Sequence, residues 1–202
     1  MVSWPLMIEP LLEAPLTPSA SLGPYRVADY HALPDEPRVE LVYGRFYLMT
    51  SPVVRHQVVV ACLLRELQDR MREVGGRVLM APMDVRLADH SVVQPDVLLV
   101  MPERRAIIQE RIEGAPDLLV EVLSPSTARF DRGEKLRLYA ESDVREYWLV
   151  DPVSRSIEFL VQREGRWLVA LAEDGRYESE SIEGLSLDLV AFWTAVDVDL
   201  GA

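Results

Sequence analysis

The sequence predicts a mixed α/β fold: a central mixed sheet flanked by helices, with additional β-hairpins. Three observations carry that expectation. Strand-like segments stand both before and after helical ones along the chain. Several of these segments, "VVQPDVLLVM", "PDLLVEVLSPS" and "REYWLVDP", are almost continuously apolar, as strands covered on both faces are. Finally, 202 residues with 49% hydrophobic content match one domain with a substantial core and are short for two. We therefore expect an extended or flexible proline-rich arm over residues 1–24 and a single domain over 25–202.

The elements follow in order. "RVELVYGRFYLM" alternates about Tyr43-Gly44 and reads as a β-hairpin. "TSPVVRHQVVVACLLRELQDRMREVGG" reads as a helix, with Ser51 as cap, Pro52 in the first turn and Gly75-Gly76 as the stop. Val53, Gln57, Val60, Leu64, Leu67, Met71 and Val74 recur at helical spacing and predict its buried face. "RVLMAPMDVRLA" reads as two short strands around a proline turn. "DRGEKLRLYAES" reads as a helix capped by Asp131, with Glu134 three residues on. "REYWLVDP" is a strand, "SIEFLVQREGRWLVALA" a hairpin, and "GLSLDLVAFWTAV" a closing strand or short helix.

The formal net charge is −12. That excludes strong nonspecific binding to nucleic acid through overall charge, but leaves room for a local basic patch or a carboxylate site that recruits a divalent cation. No run is long and apolar enough to cross a membrane, and the N-terminal stretch lacks a basic secretory leader, so a cytoplasmic location is expected. Cys62 is the one cysteine, which excludes an internal disulfide and predicts a buried thiol.

Two strand-like runs hold a carboxylate where a buried strand would not normally carry one: Asp96 in "QPDVLLV" and Glu121 in "LLVEVLS". Burying such a charge is costly unless it is paired, hydrogen-bonded or metal-bound. On neighbouring strands and facing one way, the two acids would make an oxygen-rich pocket suited to Mg²⁺ or Mn²⁺. A strand-end turn cap for Asp96 and an Arg partner for Glu121 are the structural alternatives. The 21 basic residues comprise 20 Arg and one Lys, Lys135. Lys135 lies four residues after Asp131 and four before Tyr139, so all three share a helix face. An ammonium there could orient a nucleophile or stabilise phosphate charge, where an Arg fork has a different shape. The alternative is a surface ion pair of little energetic weight.

The blocks "QPDVLLV", "DLLVEVLSPST", "DRGEKLRLYAESDVREYWLVDP" and "GLSLDL", in that order, resemble a bacterial restriction-endonuclease-like family of the PD-(D/E)XK nuclease superfamily, once known only as a domain of unknown function. The resemblance runs from about Tyr25 to Phe192. It implies a restriction-endonuclease-like core and Mg²⁺-dependent (or Mn²⁺-dependent) phosphodiester hydrolysis. Asp96 and Glu121 would be metal ligands and catalytic acids, with the Val122 carbonyl as backbone ligand. The superfamily lysine would fall at Leu123; in this family Lys135 takes its place from the following helix. Glu40 matches a further acidic position that would orient water or a second metal, or else pairs across its hairpin. His56 and Gln57 match a similar pair, and with Asp131 and Tyr139 are candidates for substrate contact or support of the site. Tyr139 also reads as core packing with a polar tip, and Ser124 and Ser126 as loop residues rather than nucleophiles.

The expected function is therefore a metal-dependent endonuclease acting on nucleic acid, DNA foremost, as a homodimer or higher homo-oligomer away from membranes. Arg104, Arg105, Arg129, Arg132 and Arg137 flank the acids in sequence and are candidates for a basic rim. The alternatives are a catalytically inactive nuclease-fold module that binds nucleic acid, and a homo-oligomeric interaction protein using "REYWLVDP" and the hairpin after it.

Overall fold

The computed structural model describes residues 22–201, so the expected arm over 1–24 lies almost wholly outside the described residues. Among them, α1 (Val27–His31) precedes the hairpin β1 (Val39–Val42) and β2 (Arg45–Leu48), and α2 (Val54–Met71) follows. Then come β3 (Arg77–Met80), β4 (Val85–Ala88), β5 (Ser91–Val93), β6 (Val97–Val100), β7 (Ile112–Glu113) and β8 (Leu118–Val122). A continuous helical stretch joins α3 (Ala128–Phe130), a π-helical turn (Asp131–Lys135) and α4 (Leu136–Glu141). The chain closes with β9 (Glu146–Asp151), β10 (Ser156–Arg163), β11 (Arg166–Ala170), β12 (Arg176–Glu178), β13 (Ser186–Asp188) and α5 (Leu189–Leu200). No helix among the described residues is long and apolar enough to cross a membrane.

The central sheet has the order β11-β10-β9-β8-β6-β3 and is mixed, with β8 and β9 parallel and its other pairs antiparallel. A second sheet has the order β2-β1-β5-β4-β7. The apolar runs that predicted buried strands are the middle of the central sheet: β6 and β8 are buried at every position. Their side chains alternate between two cores. Val97, Leu99, Leu118, Val120 and Val122 pack with Leu63, Leu67 and Met71 of α2 and with Phe192 and Trp193 of α5. Leu98, Val100, Leu119 and Leu123 face the other way, toward Val42, Val85 and Val93 of the second sheet and Leu138 and Tyr139 of α4. The second core lies between two sheets and a helix, and the site is built at its edge.

Several local expectations are corrected. Val53, not Ser51, occupies the cap position of α2, without a side-chain bond. The buried stripe of α2 runs through Val59, Val60, Cys62, Leu63, Leu67 and Met71, while Gln57 is exposed. Cys62 is a free, buried thiol. Asp131 is not a cap, because the helical stretch begins at Ala128, after a loop in which Thr127 and Ser124 bond each other. Asp131 is consequently interior to the stretch and buried. β3 and β4, read as neighbours around Pro82, belong to different sheets. β9 lies between β8 and β10 and is buried, so "REYWLVDP" offers no interface; the exposed edge belongs to β11, the second strand of the hairpin. The closing segment forms both a strand and a helix, α5, capped by the Asp188 carboxylate on the Ala191 N–H at 2.9 Å.

The β1–β2 and β10–β11 hairpins each turn on two residues at positive φ: Tyr43 (49°) and Gly44 (73°), Glu164 (51°) and Gly165 (76°). That geometry matches the right-handed strand twist. The turns differ in their surroundings. A Cβ on Gly165 would meet nothing within 4 Å, whereas one on Gly44 would lie 2.4 Å from the Gly23 carbonyl oxygen. Gly165→Ala should therefore cost about 1 kcal/mol, the penalty of the backbone conformation alone. Gly44→Ala should cost at least about 1–2 kcal/mol more, because the strand entry at Gly23 must shift. Urea unfolding of both variants checks this, and equal losses would contradict it.

Candidate active site

The register of the central sheet sets the two acids against each other. β6 and β8 pair with Val97 opposite Val120, and just beyond the end of that ladder Asp96 comes near Glu121, whose carboxyl its charge helps to raise. Asp96 turns its backbone toward β3, where its carbonyl accepts the Ala81 N–H at 3.1 Å. The Val122 N–H donates to Asp96 Oδ2 at 2.7 Å, and the Val122 backbone also bonds His56. His56 Nε2 lies 3.2 Å from the same Asp96 oxygen, and its Nδ1 is buried without a hydrogen-bond partner among the described residues.

Glu121 points into the second core, where Lys135 meets it. Lys135, 2% exposed, places Nζ 2.9 Å from Glu121 Oε1, 2.9 Å from Glu40 Oε2 and 3.7 Å from Asp131 Oδ1. Glu40 comes from β1 on the face of Val42, which joins the same core. Its other oxygen, Oε1, accepts the Gln94 N–H at 2.6 Å. Tyr139 donates to Glu121 Oε1 at 2.9 Å, and Tyr147 donates to the Asp131 carbonyl at 3.1 Å. The Phe130 ring lies 5.6 Å from the ammonium. The π-helical turn widens the helix where Asp131 and Lys135 face inward; such turns recur at functional sites.

Burial is the largest influence on Glu121 and holds its carboxyl well above the usual range; the carboxylates of Asp131, Asp96 and Glu40 add to it, and Lys135 opposes it. Burial likewise pushes Asp131 up to about 6. For Lys135 burial acts downward, but Glu121, Glu40 and Asp131 more than offset it and hold the amine well above its ordinary value. His56 is also raised: burial lowers it, and Asp96 and the Val122 carbonyl outweigh burial. The cluster thus surrounds one certain cation with a surplus of acids.

Of the candidate residues, the structure brings together Asp96, Glu121, Val122, Lys135, Glu40, Asp131, Tyr139 and His56. It does not bring Gln57, which lies on the outer face of α2 in a shallow groove with Arg65 and Asp69. The expected basic rim is largely engaged elsewhere. Arg104 pairs with Asp117 and Asp143, and Arg105 bonds the Gly75 carbonyl. Both follow the far end of β6, roughly 15 Å along the strand from Asp96. Arg137 stacks on Tyr43, and Arg132 pairs with Glu158. Gln94, Tyr147 and Thr127, whose hydroxyl bonds Asp131, were not foreseen. Gln94 acts through its backbone, which no side-chain pattern announces. Tyr147 carried one signal: a buried tyrosine hydroxyl needs a partner.

A family model described as "Putative restriction endonuclease" (Uma2) matches residues 27–190. The chain belongs to this family. An "Uncharacterized protein" of Synechocystis sp. strain PCC 6803 is 45% identical over 74 residues, 35% of this chain and 38% of that protein's length, so the match spans under half of the relative. A crystal structure from Anabaena variabilis, described as a "putative nuclease belonging to DUF820", superposes with a TM-score of 0.71 at 18% identity, covering 86% of this chain and 99% of that one. At that identity it shows a shared fold.

The donors fit the divalent cation that such a fold implies. Among the described residues no three His, Cys, Asp or Glu side chains form a metal shell. What the site offers is two carboxylates and a carbonyl, all hard oxygen donors, which suits a cation that keeps several of its waters. Asp96 uses Oδ2 and Glu121 uses Oε1 on the protein. Asp96 Oδ1 and Glu121 Oε2 would receive it, together with the lone pair of the Val122 carbonyl that His56 does not use.

The surplus of acid has a measurable consequence. Asp131 titrates at about 6 in the fold against 3.8 ordinarily. Its contribution to stability is therefore full below about pH 4 and lost as pH rises through about 6. In EDTA the protein should melt at a higher temperature at pH 5 than at pH 7.5. Asp131→Asn should shrink that difference by roughly 5 °C. Thermal unfolding monitored by circular dichroism checks this; an unchanged difference in the variant would count against the cluster.

Proposed function

We propose that the protein is a metal-dependent endonuclease that hydrolyses phosphodiester bonds in nucleic acid, DNA in the first place. The observation that carries this is the approach of Asp96 to Glu121 where Asp96 takes the amide of the neighbouring Val122, each acid with one oxygen engaged by the protein and one left over. Those oxygens and the Val122 carbonyl would hold Mg²⁺ or Mn²⁺. When bound, such a cation would supply Lewis acidity toward a phosphoryl oxygen and toward a water molecule. The protein's own part is to keep its oxygens aimed. Lys135 and Tyr139 fix Glu121 through Oε1, while the Val122 amide and His56 fix Asp96 through Oδ2. His56, 12% exposed against 2% for Lys135, is the better placed to meet a substrate phosphate. No serine nucleophile is needed: Ser124, Ser126 and Thr127 bond one another in the loop after β8. With a net charge of −12, affinity for the substrate would rest on local cations such as Arg129 on α3 and on the bound metal.

The test is incubation with single- and double-stranded DNA and RNA, in Mg²⁺, Mn²⁺ or EDTA. Cleavage should need the metal and fall by at least about 100-fold in Asp96→Asn and in Glu121→Gln, both checked for folding. Cleavage that survives EDTA, or survives in Asp96→Asn, would refute the reading. Binding without cleavage by the folded wild-type protein would instead favour a non-catalytic binding module.

A further inference from the structure

Four carboxylates meet at this site, enough in number for two divalent ions. The geometry points to one. We infer that the Lys135 ammonium occupies, as a permanent part of the fold, the position a second cation would take between Glu40, Glu121 and Asp131, so that the protein binds a single divalent ion, through Asp96, Glu121 and Val122. The inference rests on the metal-dependent reading above and goes beyond it: Glu40 and Lys135 become positioning residues rather than a second-metal ligand and a group acting on phosphate.

The bonding capacity of each group decides this. An ammonium has three protons to donate and no more. Lys135 has three carboxylate oxygens around it, at 2.9, 2.9 and 3.7 Å, and the Phe130 ring on a further side at 5.6 Å. It is buried to 2% exposure and hydrogen-bonds Glu121 Oε1. Glu40, fully buried, gives Oε1 to the Gln94 amide and sets Oε2 2.9 Å from the Lys135 ammonium as an ion pair without an aligned hydrogen bond, so the cation beside that oxygen is the ammonium itself. Asp131 turns one oxygen to Lys135 and is bonded by the Thr127 hydroxyl. Among the described residues, Asp96 and Glu121 each keep a carboxylate oxygen that is neither hydrogen-bonded nor paired with a cation, whereas Glu40 Oε2 faces the ammonium. A divalent ion also needs ligands at close to 2 Å and would have to share a cage with a fixed positive charge. An Arg could not replace this ammonium, because its planar fork cannot converge on three carboxylates from different elements.

Titrating the metal-free full chain with Mn²⁺, by calorimetry and by electron paramagnetic resonance, tests this without reference to cleavage. One equivalent is expected, with the spectrum of an isolated ion. Asp96→Asn should weaken binding by at least about tenfold, while Glu40→Gln should keep one equivalent within about threefold of the wild-type affinity. Two equivalents in the wild type, with a spin-coupled spectrum, would overturn the single-ion inference and leave the nuclease reading standing. One equivalent that a folded Glu40→Gln loses would also overturn it, since Glu40 would then be a ligand. No binding, or binding indifferent to Asp96→Asn, would remove the metal reading and this inference together. Should Glu40→Gln fail to fold by circular dichroism, the wild-type stoichiometry alone decides.

Discussion

The contact on which the rest of the site depends is the one between the Lys135 ammonium and three carboxylates inside the protein. Each partner comes from a different unit: Glu40 from the second sheet, Glu121 from the central sheet, Asp131 from the helix that also carries the lysine. A single amine therefore joins the layers around the second core. Removing such charges from water is expensive, and only close, well-directed contacts offset the cost. The geometry also explains the composition. Twenty Arg residues serve the protein elsewhere, but a compact point charge with three rotatable donors fits a cage that a rigid fork does not.

From that contact the order passes to the acids through the backbone. Glu40 grips the Gln94 amide, two residues before Asp96. Asp96 grips the Val122 amide, one residue after Glu121. Glu121 returns to Lys135. Each acid is thus aimed by a bond that another acid makes to its own loop or strand, and the circuit closes without a flexible link. Tyr139 and Tyr147 complete the bonding of Glu121 and the π-helical turn. The arrangement is preorganised, since the groups that would hold a cation are fixed by neighbours rather than by the cation.

Much of this was legible in the sequence. The apolar runs holding Asp96 and Glu121 mark the central strands because only strands covered on both faces are so continuously apolar. The spacing of Asp131, Lys135 and Tyr139 placed all three on one face, and the structure turns all three toward Glu121, although a π-helical turn breaks the regular period there. What sequence could not carry was topology and distance. Arg104 and Arg105 follow Asp96 closely in the chain, yet a strand separates them from the site. β9 reads as an apolar surface strand or a core strand alike, and only sheet order places it inside. Gln57 fits a helical stripe on paper, but the packed face of α2 runs through Val59, Cys62 and Leu63 instead. Ser51 and Asp131 have the chemistry of caps, and in both cases the helix begins elsewhere.

The most direct test of the central claim is a double-mutant cycle between Lys135 and Glu40, measured by equilibrium unfolding in EDTA. Lys135→Met alone leaves three carboxylates in the core without their cation and should cost about 3–5 kcal/mol; adding Glu40→Gln should recover part of that loss, with a coupling of at least about 1–2 kcal/mol. Additive losses, with no coupling between the two positions, would show that the ammonium does not hold the site together.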